Sequence, residues 1–304
     1  MNFLEYIAGG HKLVLDGPMG TELHHRGVNI ELPLWSAAAI QTHPQTICEI
    51  HTDYIKAGAD IITTNTFRTD SRTFRKAGLS AADAREATLQ AVALARGAID
   101  RASPDKKVWL AGSMSPLEDC YRPDLTPPYD IALAEHREKA DWLADAGVDF
   151  ILIETMNSIT EAEAAARAAL KTGLPVAVSF ILGDKDYLFN GEQISSALSR
   201  ISHFGIQILS INCCHHRIIT DFLRDYFDKI PLPLMVYPNA GYYDRRQGWQ
   251  TDPDFTPQRF SNIANFWFDK GIQIVGGCCE TGPAYIRAVS KKRSPVRLHT
   301  GLRG

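Results

Sequence analysis

Six cysteines are the residues of this 304-residue chain with the clearest chemical potential. Four of them form two adjacent pairs that are far apart in sequence, Cys213-Cys214 and Cys278-Cys279. Zinc prefers thiolate ligands, and a catalytic zinc site uses three protein ligands and leaves a fourth position for water or substrate. Buried packing and a redox disulfide are the alternatives, although no Cys-x-x-Cys spacing supports the disulfide. Two pairs in one chain favour a metal site.

Backbone geometry limits which of these thiols can share one ion. Successive side chains of a strand point to opposite faces, so we expect only one of Cys213 and Cys214 to reach the metal. Gly276-Gly277 precede the second pair and permit backbone angles that are closed to other residues. A turn at these glycines would present Cys278 and Cys279 to one ion.

We expect the remaining cysteines, and the histidines beside the first cysteine pair, to have structural roles rather than to bind the metal. Cys48 lies within a helical pattern and is expected in the core, and Cys120 is expected to stay outside the pocket. His215 and His216 directly follow the first pair, and four consecutive residues cannot surround one tetrahedral ion. We therefore expect these histidines to begin a helix or to lie at the surface.

Two acidic residues end predicted strands, where an unpartnered carboxylate is costly to bury. These residues are Asp16 and Glu154, and together they would suit the ammonium group of a ligand. The alternative is that each caps a loop or pairs with an arginine. Gly17 and Gly20 would allow backbone N–H groups to approach a ligand carboxylate.

The elements that must position these residues are short apolar runs alternating with longer amphipathic segments, the pattern of repeated βα units. The eight predicted strands are Leu13–Asp16, Asp60–Thr64, Val108–Gly112, Phe150–Glu154, Val176–Phe180, Ile208–Asn212, Leu234–Pro238 and Ile272–Gly276. They predict an α/β fold, a (β/α)8 TIM barrel that forms a single domain over residues 1–304, with catalytic groups at the carboxyl ends of the strands. A doubly wound open sheet is the alternative.

Composition narrows the classes of partner. The chain is 45% hydrophobic and 22% charged, with a formal net charge of -3, which is typical of a globular protein. The absence of a long basic run argues against nucleic acid and anionic membranes as partners, so a small substrate is expected. Met1 to Gly10 lack a basic leader and an apolar run of signal-peptide length, which predicts a cytoplasmic location.

Five motifs resemble the homocysteine S-methyltransferase family, in that family's order. They are Asp16-Gly17-Pro18-Met19-Gly20-Thr21-Glu22-Leu23, Thr64-Asn65-Thr66-Phe67, Glu154-Thr155-Met156, Ile211-Asn212-Cys213 and Gly276-Gly277-Cys278-Cys279. The last two motifs together are highly specific, whereas the first alone would be weak. The resemblance implies a (β/α)8 barrel that methylates the thiol of homocysteine to give methionine.

The resemblance also implies roles for individual residues. It assigns Zn2+ to Cys213, Cys278 and Cys279, with the sulfur of homocysteine as the fourth ligand. A second set contacts the substrate: the amino group of homocysteine is assigned to Asp16 and Glu154, and the same pocket is lined by Gly17 and Thr66. Family members usually have glycine after the double cysteine, whereas this chain has Glu280, and Cys214 is a further departure.

The methyl donor is expected to be a sulfonium compound. The stretch Tyr237-Pro238-Asn239-Ala240-Gly241 is similar to the loop after strand seven in family members that use S-methylmethionine or S-adenosylmethionine. Four thiolates outweigh the two charges of zinc, so the site would attract a cationic donor, and betaine ranks second. Methylfolate or cobalamin would normally need further domains. Methylation of another thiol or selenol, and a zinc or thiol sensor without turnover, are the alternative functions.

Overall fold

The computed structural model describes residues 2–102, 104–244 and 246–293. The strands in these residues are β1 (Leu13–Val14), β2 (Ile61–Thr63), β3 (Trp109–Met114), β4 (Phe150–Met156), β5 (Val176–Phe180), β6 (Ile208–His215), β7 (Leu234–Asn239), β8 (Gly241–Asp244), β9 (Gly248–Thr251) and β10 (Ile274–Val275). The α-helices are α1 (Phe3–Ala8), α2 (Met19–His25), α3 (Ala38–Thr42), α4 (Pro44–Ala57), α5 (Ser71–Lys76), α6 (Ala81–Ala102), α7 (Tyr129–Asp145), α8 (Ile159–Leu170), α9 (Ile194–Ser202), α10 (His216–Tyr226), α11 (Pro257–Lys270) and α12 (Pro283–Lys292).

Eight parallel strands form one sheet in the order β1, β10, β7, β6, β5, β4, β3, β2. The two ends of this sheet meet, because Leu15 and Ile61 form a parallel bridge and the backbone N–H of Asp16 donates to the Ile61 carbonyl at 3.0 Å. Sequential order with closure is the topology of a (β/α)8 barrel, whereas a doubly wound sheet reverses its strand order. The predicted barrel and its eight strands are confirmed; the predicted and observed bounds differ by at most three residues, and those of β5 agree.

Alternation along the strands builds two apolar cores. In β4, Phe150 and Leu152 point into the barrel, whereas Ile151 and Ile153 face the surrounding helices. Phe3 of α1 stacks on Phe150 with ring centroids 4.3 Å apart, which fills the amino-terminal end of the barrel. Glu154 is the next inward position after Leu152, so the strand period carries this acid to the open, carboxyl end.

Two strand ends break their regular geometry beside the catalytic end. Thr155 has φ 62° and Cys213 has φ 55°, and the strand register shifts at both places. Left-handed backbone costs a residue with a Cβ atom about 1–2 kcal/mol, so surrounding contacts must hold it. Such irregularities re-aim side chains at the rim of a barrel.

The antiparallel pair β8 and β9 follows β7 and lies outside the main sheet. Its Tyr242 ring lies 5.9 Å from the ring of His215, at the end of β6. This hairpin is therefore an addition at the catalytic end of the barrel. Among the helices of the described segments, none is long and apolar enough to cross a membrane.

Candidate active site

Three thiols converge at the carboxyl end of the barrel. The sulfur atoms of Cys213, Cys278 and Cys279 all lie within 4.8 Å of one another. A tetrahedral zinc ion with Zn–S bonds of about 2.3 Å would hold its sulfur ligands about 3.8 Å apart. The three predicted ligands therefore have positions that fit three corners of such a site and leave the fourth corner open.

The two members of the first cysteine pair point to different places. The left-handed backbone at Cys213 turns its thiol towards Cys278 and Cys279, while Cys214 packs into the core between the strands and the helices. Burial raises the pKa of the Cys214 thiol. The structure thus places Cys213 in the cluster and Cys214 outside it, in line with the expectation that only one thiol of this pair would reach a metal.

The second pair is presented by the end of β7. The N–H of Cys278 donates to the Pro238 carbonyl at 2.8 Å, and the N–H of Cys279 donates to the Asn239 side chain at 3.0 Å. The N–H of Ala240 in turn donates to the Cys279 carbonyl at 2.9 Å. The end of β7 therefore holds both cysteine backbones, and both sulfur atoms lie beside the Cys213 sulfur.

The predicted reason for Gly276-Gly277 is wrong, because neither glycine has a left-handed φ. Both are needed for close packing instead: a Cβ atom on Gly276 would lie 2.5 Å from the Leu15 Cβ, and one on Gly277 would lie 2.0 Å from the Thr281 Oγ1. The left-handed residue of this turn is Glu280, with φ 64°. This conformation favours glycine, which accounts physically for the glycine usual at this position in the family.

Charge is shared among the clustered thiols. Hydrogen bonds from Cys278 and Cys279 hold the pKa of Cys213 well below its usual range, and the same interaction raises the pKa of the other two thiols. The hydroxyl of Tyr121 lies 3.5 Å from the Cys213 sulfur. Metal binding to thiols releases their protons, and a lowered pKa at Cys213 favours that release.

A cavity of about 340 Å³ adjoins the three thiols and contains both predicted acids. Glu154 accepts a hydrogen bond from the Ser113 hydroxyl at 2.5 Å and from the Tyr237 hydroxyl at 3.3 Å. Burial raises the pKa of Glu154 to about 7. Such a carboxylate is stabilised when a cation enters beside it.

Asp16 lines the same cavity and is only 3% exposed. Its carboxylate accepts the N–H of Thr63 at 2.8 Å and the Thr63 hydroxyl at 2.9 Å, while burial raises its pKa well above the usual range. In the part of the chain that the structure describes, neither Asp16 nor Glu154 forms an ion pair with lysine or arginine. The predicted alternative of an arginine partner is therefore not supported.

Gly17 and Thr66 occupy different layers of the pocket. Gly17 lines the cavity, and a Cβ atom there would lie 2.4 Å from the Thr281 carbonyl oxygen and 2.8 Å from the Tyr54 hydroxyl. Thr66 is fully buried and lies behind the cavity wall, where its hydroxyl donates to the Ser113 carbonyl at 2.8 Å. Thr66 was expected to line the pocket, but it supports the pocket wall from behind instead. The reason is a tight turn from Thr64 to Thr66, which points the Thr66 side chain away from the cavity.

Sequence reasoning missed parts of this pocket. Cys120 lines the cavity, contrary to its predicted exclusion, because the loop after β3 folds over the barrel mouth. Ser113 was not named, and Tyr237 was named only as part of the loop after strand seven, although both contact Glu154. The two-residue period of β7 carried a signal for Tyr237, since Met235 and Tyr237 both face the barrel interior. No comparable pattern marks a loop residue such as Cys120.

The remaining predictions near the cluster concern His215, His216, Cys48 and Glu280. His215 is the N-cap of α10 and His216 is its first residue, so the predicted helix start is confirmed, although His216 is buried. Cys48 packs in the core, as predicted. The Glu280 carboxylate lies 3.3 Å from the His25 ring and does not line the cavity. The departure at Glu280 therefore adds no carboxylate to the wall of the cavity.

Known proteins match almost the whole chain. The family model for homocysteine S-methyltransferase matches residues 13–293. Homocysteine S-methyltransferase of Escherichia coli (strain K12) is 32% identical, covering 92% of this chain and 94% of that relative. Selenocysteine methyltransferase of Astragalus bisulcatus is 28% identical, covering 93% and 92%.

A solved structure shares the fold as well. The metallated form of the homocysteine methyltransferase MmuM from Escherichia coli has a TM-score of 0.82 and 30% identity, covering 93% of this chain and 96% of that one. The apo form of the same protein has a TM-score of 0.74. The family model, the relative above 30% identity and the shared fold agree, and the chain therefore belongs to the homocysteine S-methyltransferase family of methyltransferases.

Proposed function

We propose that this homocysteine methyltransferase is zinc-dependent, takes its methyl group from a sulfonium donor and releases methionine. The observation that carries this proposal is the convergence of Cys213, Cys278 and Cys279 beside Asp16 and Glu154 in one cavity. Thiolates suit zinc, and the two unpaired acids suit an ammonium group. Homocysteine carries both a thiol and an ammonium group.

The three thiols fit zinc in donor type and in spacing. When bound there, zinc would accept the substrate sulfur as a fourth ligand and make its thiolate available at neutral pH, where a free thiol of pKa about 8.5 is mostly protonated. The elements that hold the cysteines, β6, β7 and the turn after β10, keep the thiols converged.

The acids orient the substrate. Asp16 and Glu154 face the cavity from β1 and β4, and an ammonium group between them would compensate the burial that raises the pKa of both carboxyls. Ser113 and Tyr237 fix the Glu154 carboxylate from the sides. Gly17 forms part of the same wall. The amino acid end of homocysteine would thus lie at Asp16 and Glu154, with its sulfur towards the cysteines.

The chemical step is a displacement at carbon. The homocysteine sulfur attacks the donor methyl group in line with the bond that breaks, and a new sulfur–carbon bond forms as the old one is lost. The electron pair of the broken bond stays on the donor sulfur, which leaves as a neutral thioether. The thiol proton passes to solvent. No covalent intermediate on the protein is required.

The proposal ranks the possible methyl donors and acceptors. The loop Tyr237–Gly241 and the negative thiol cluster favour S-methylmethionine or S-adenosylmethionine, with betaine as the next candidate. The selenocysteine methyltransferase among the relatives is the observation that favours a selenol as a second acceptor. We further propose that the protein acts as a single domain in the cytoplasm on small substrates, without nucleic acid or membrane partners.

Methionine formation tests the proposal. The zinc-loaded protein would receive homocysteine with S-methylmethionine, S-adenosylmethionine or betaine in separate reactions, and selenohomocysteine would then compete with homocysteine. We expect turnover with a sulfonium donor and none after zinc is removed. Turnover with betaine alone would contradict the donor assignment, and bound zinc without turnover by any donor would favour another acceptor or a sensor.

A further inference from the structure

A second cavity, of about 530 Å³, adjoins Cys213 of the thiol cluster. It lies between the loop after β5, the junction of β6 with α10, and the hairpin of β8 and β9. Cys213 and Tyr121 line both this cavity and the substrate pocket. A molecule in the second cavity therefore lies beside Cys213, which borders the substrate pocket as well.

Asp252 is a fixed carboxylate in the wall of this cavity. Its Oδ2 lies 3.0 Å from the His215 Nε2, and its Oδ1 accepts the N–H of Asp254 at 3.0 Å. The N–H of Asp252 donates to the carbonyl of Ala240, the residue that also holds Cys279. The backbone thus ties the position of Asp252 to that of the thiol cluster.

The hydrogen bonds of His215 show that it donates a hydrogen bond to Asp252. Its Nδ1 accepts the N–H of Arg217 at 3.3 Å, so a neutral ring has its proton on Nε2 and donates it to Asp252. Burial raises the pKa of Asp252, but the His215 and Asp254 hydrogen bonds outweigh that effect and hold it below the usual range. Within the described ranges no lysine or arginine pairs with Asp252, and its negative charge stays available to a ligand.

A cation and an aromatic wall complete the cavity. Arg217 lines it, is exposed, and forms no ion pair among the residues whose positions are described. The rings of Tyr121 and Phe189 lie 5.4 Å apart in an edge-to-face arrangement, and Tyr242 lies on the hairpin side. Aromatic faces attract ligand cations, and an arginine can bind a carboxylate through two hydrogen bonds.

We propose that this cavity is the binding site of the methyl donor and that it recognises a sulfonium carrying an α-amino acid group. Asp252 binds the donor ammonium, Arg217 binds the donor carboxylate, and the sulfonium lies beside Tyr121 at the Cys213 end. S-Methylmethionine and S-adenosylmethionine share this group, and both fit the class. The inference rests on the proposed function, since it assigns a place to the donor of the same reaction.

A metal ion is the competing occupant. His215, His216 and Asp252 each offer a ligand atom, and these atoms lie within 4.8 Å of one another. The His216 Nε2 is buried without a hydrogen-bond partner. The His215 Nδ1, however, accepts the N–H of Arg217 at the start of α10, so the neutral ring carries its proton on Nε2. A second metal would have to displace that proton, and we therefore favour the donor.

Two substitutions test the donor site, Asp252→Asn and Arg217→Gln. In the zinc-loaded protein we expect each substitution to raise the KM for the sulfonium donor roughly 10- to 100-fold, because each removes one charge-assisted hydrogen bond or ion pair to the donor. The KM for homocysteine and one zinc per chain should stay unchanged. Asp254→Asn is the matched control, because its exposed carboxylate lies outside the cavity wall and should leave the donor KM unchanged.

Calorimetric titration of the zinc-loaded protein with S-methylmethionine, and separately with S-adenosylmethionine, measures binding without turnover. Binding to the wild type that weakens in Asp252→Asn but not in Asp254→Asn would support the site. An unchanged donor affinity in both cavity variants, no donor binding to the wild type, or a second zinc equivalent lost in Asp252→Asn would overturn it. Donor binding without methionine formation would instead count against the proposed function and leave the site assignment standing.

Discussion

The side chain of Asn212 holds the backbone of Thr155 in its left-handed conformation. Its Oδ1 accepts the N–H of Thr155 at 3.0 Å, and its Nδ2 donates to the Thr155 hydroxyl at 2.9 Å. Thr155 directly follows Glu154, and Asn212 directly precedes Cys213. One amide therefore links the end of the strand that carries Glu154, which faces the cavity, to the end of the strand that carries the first thiol.

Replacing Asn212 with alanine should loosen this link. The N–H of Thr155 and the hydroxyl of Ser179, which also donates to Asn212, would lose their acceptor in a buried position. We expect the free energy of unfolding to fall by about 1–3 kcal/mol and the KM for homocysteine to rise. Denaturant unfolding and initial rates measure these effects. An Asn212→Ala protein as stable as the exposed-site control Asn262→Ala would refute this role.

The cysteine pairs give a matched test of the ligand assignment. Cys278→Ser should lose most of the bound zinc together with the activity, because two thiolates cannot replace three. Cys214→Ser should retain its zinc, since the Cys214 thiol packs in the core and lies outside the cluster. Elemental analysis of both purified proteins measures the difference. Equal zinc loss in the two variants would show that the ligands have been misassigned.

Glu154→Gln should separate substrate binding from metal binding. The amide removes the negative charge that would meet the homocysteine ammonium group, while the three thiols are untouched. We expect the KM for homocysteine to rise about 10-fold or more at an unchanged zinc content. Glu280→Gln is the control, because the Glu280 carboxylate lies outside the pocket, beside His25. A homocysteine KM that is the same in both variants would remove Glu154 from the substrate site.

Lys139 should make stability depend on pH. Its ammonium group donates to the Thr66 carbonyl at 2.8 Å behind the pocket wall, and burial lowers its pKa from 10.5 to about 7. The unfolded chain therefore binds more protons at this lysine between pH 7 and 10.5, and its contribution to stability rises with pH across that window.

Urea unfolding at a series of pH values measures this contribution. Lys139→Met should show a smaller rise in the free energy of unfolding between pH 7 and 10 than the wild type, whereas the exposed-site control Lys171→Met should follow the wild type. Parallel curves for the wild type and Lys139→Met would mean that Lys139 titrates normally in the folded protein.

The strands could be predicted from sequence because each buried strand is a short apolar run, and a parallel barrel repeats that run at regular intervals. The carboxyl-end rule then placed Asp16, Glu154 and the cysteines at one rim without any distances. The positions at which single residues depart from regular strand geometry could not be predicted. Nothing in the local sequence indicates that Cys213, a residue with a Cβ atom, adopts φ 55°.

The glycines show a second limit. The sequence suggests that Gly276 and Gly277 provide conformational freedom, whereas in the structure they allow close packing. Gly276 packs against Leu15, which is distant in sequence, and Gly277 packs against Thr281, which follows in the next turn. Similarly, the exclusion of Cys120 from the pocket was wrong because a loop path is set by tertiary packing. Contacts between separate parts of the chain, rather than local patterns, decide these features.

The central claim is that the zinc site keeps one position open and that homocysteine sulfur enters it. X-ray absorption at the zinc edge counts the sulfur ligands directly. The account predicts three sulfurs and one lighter atom in the resting protein, changing to four sulfurs when homocysteine is added. Four sulfurs before homocysteine, or three after saturation with it, would contradict the account.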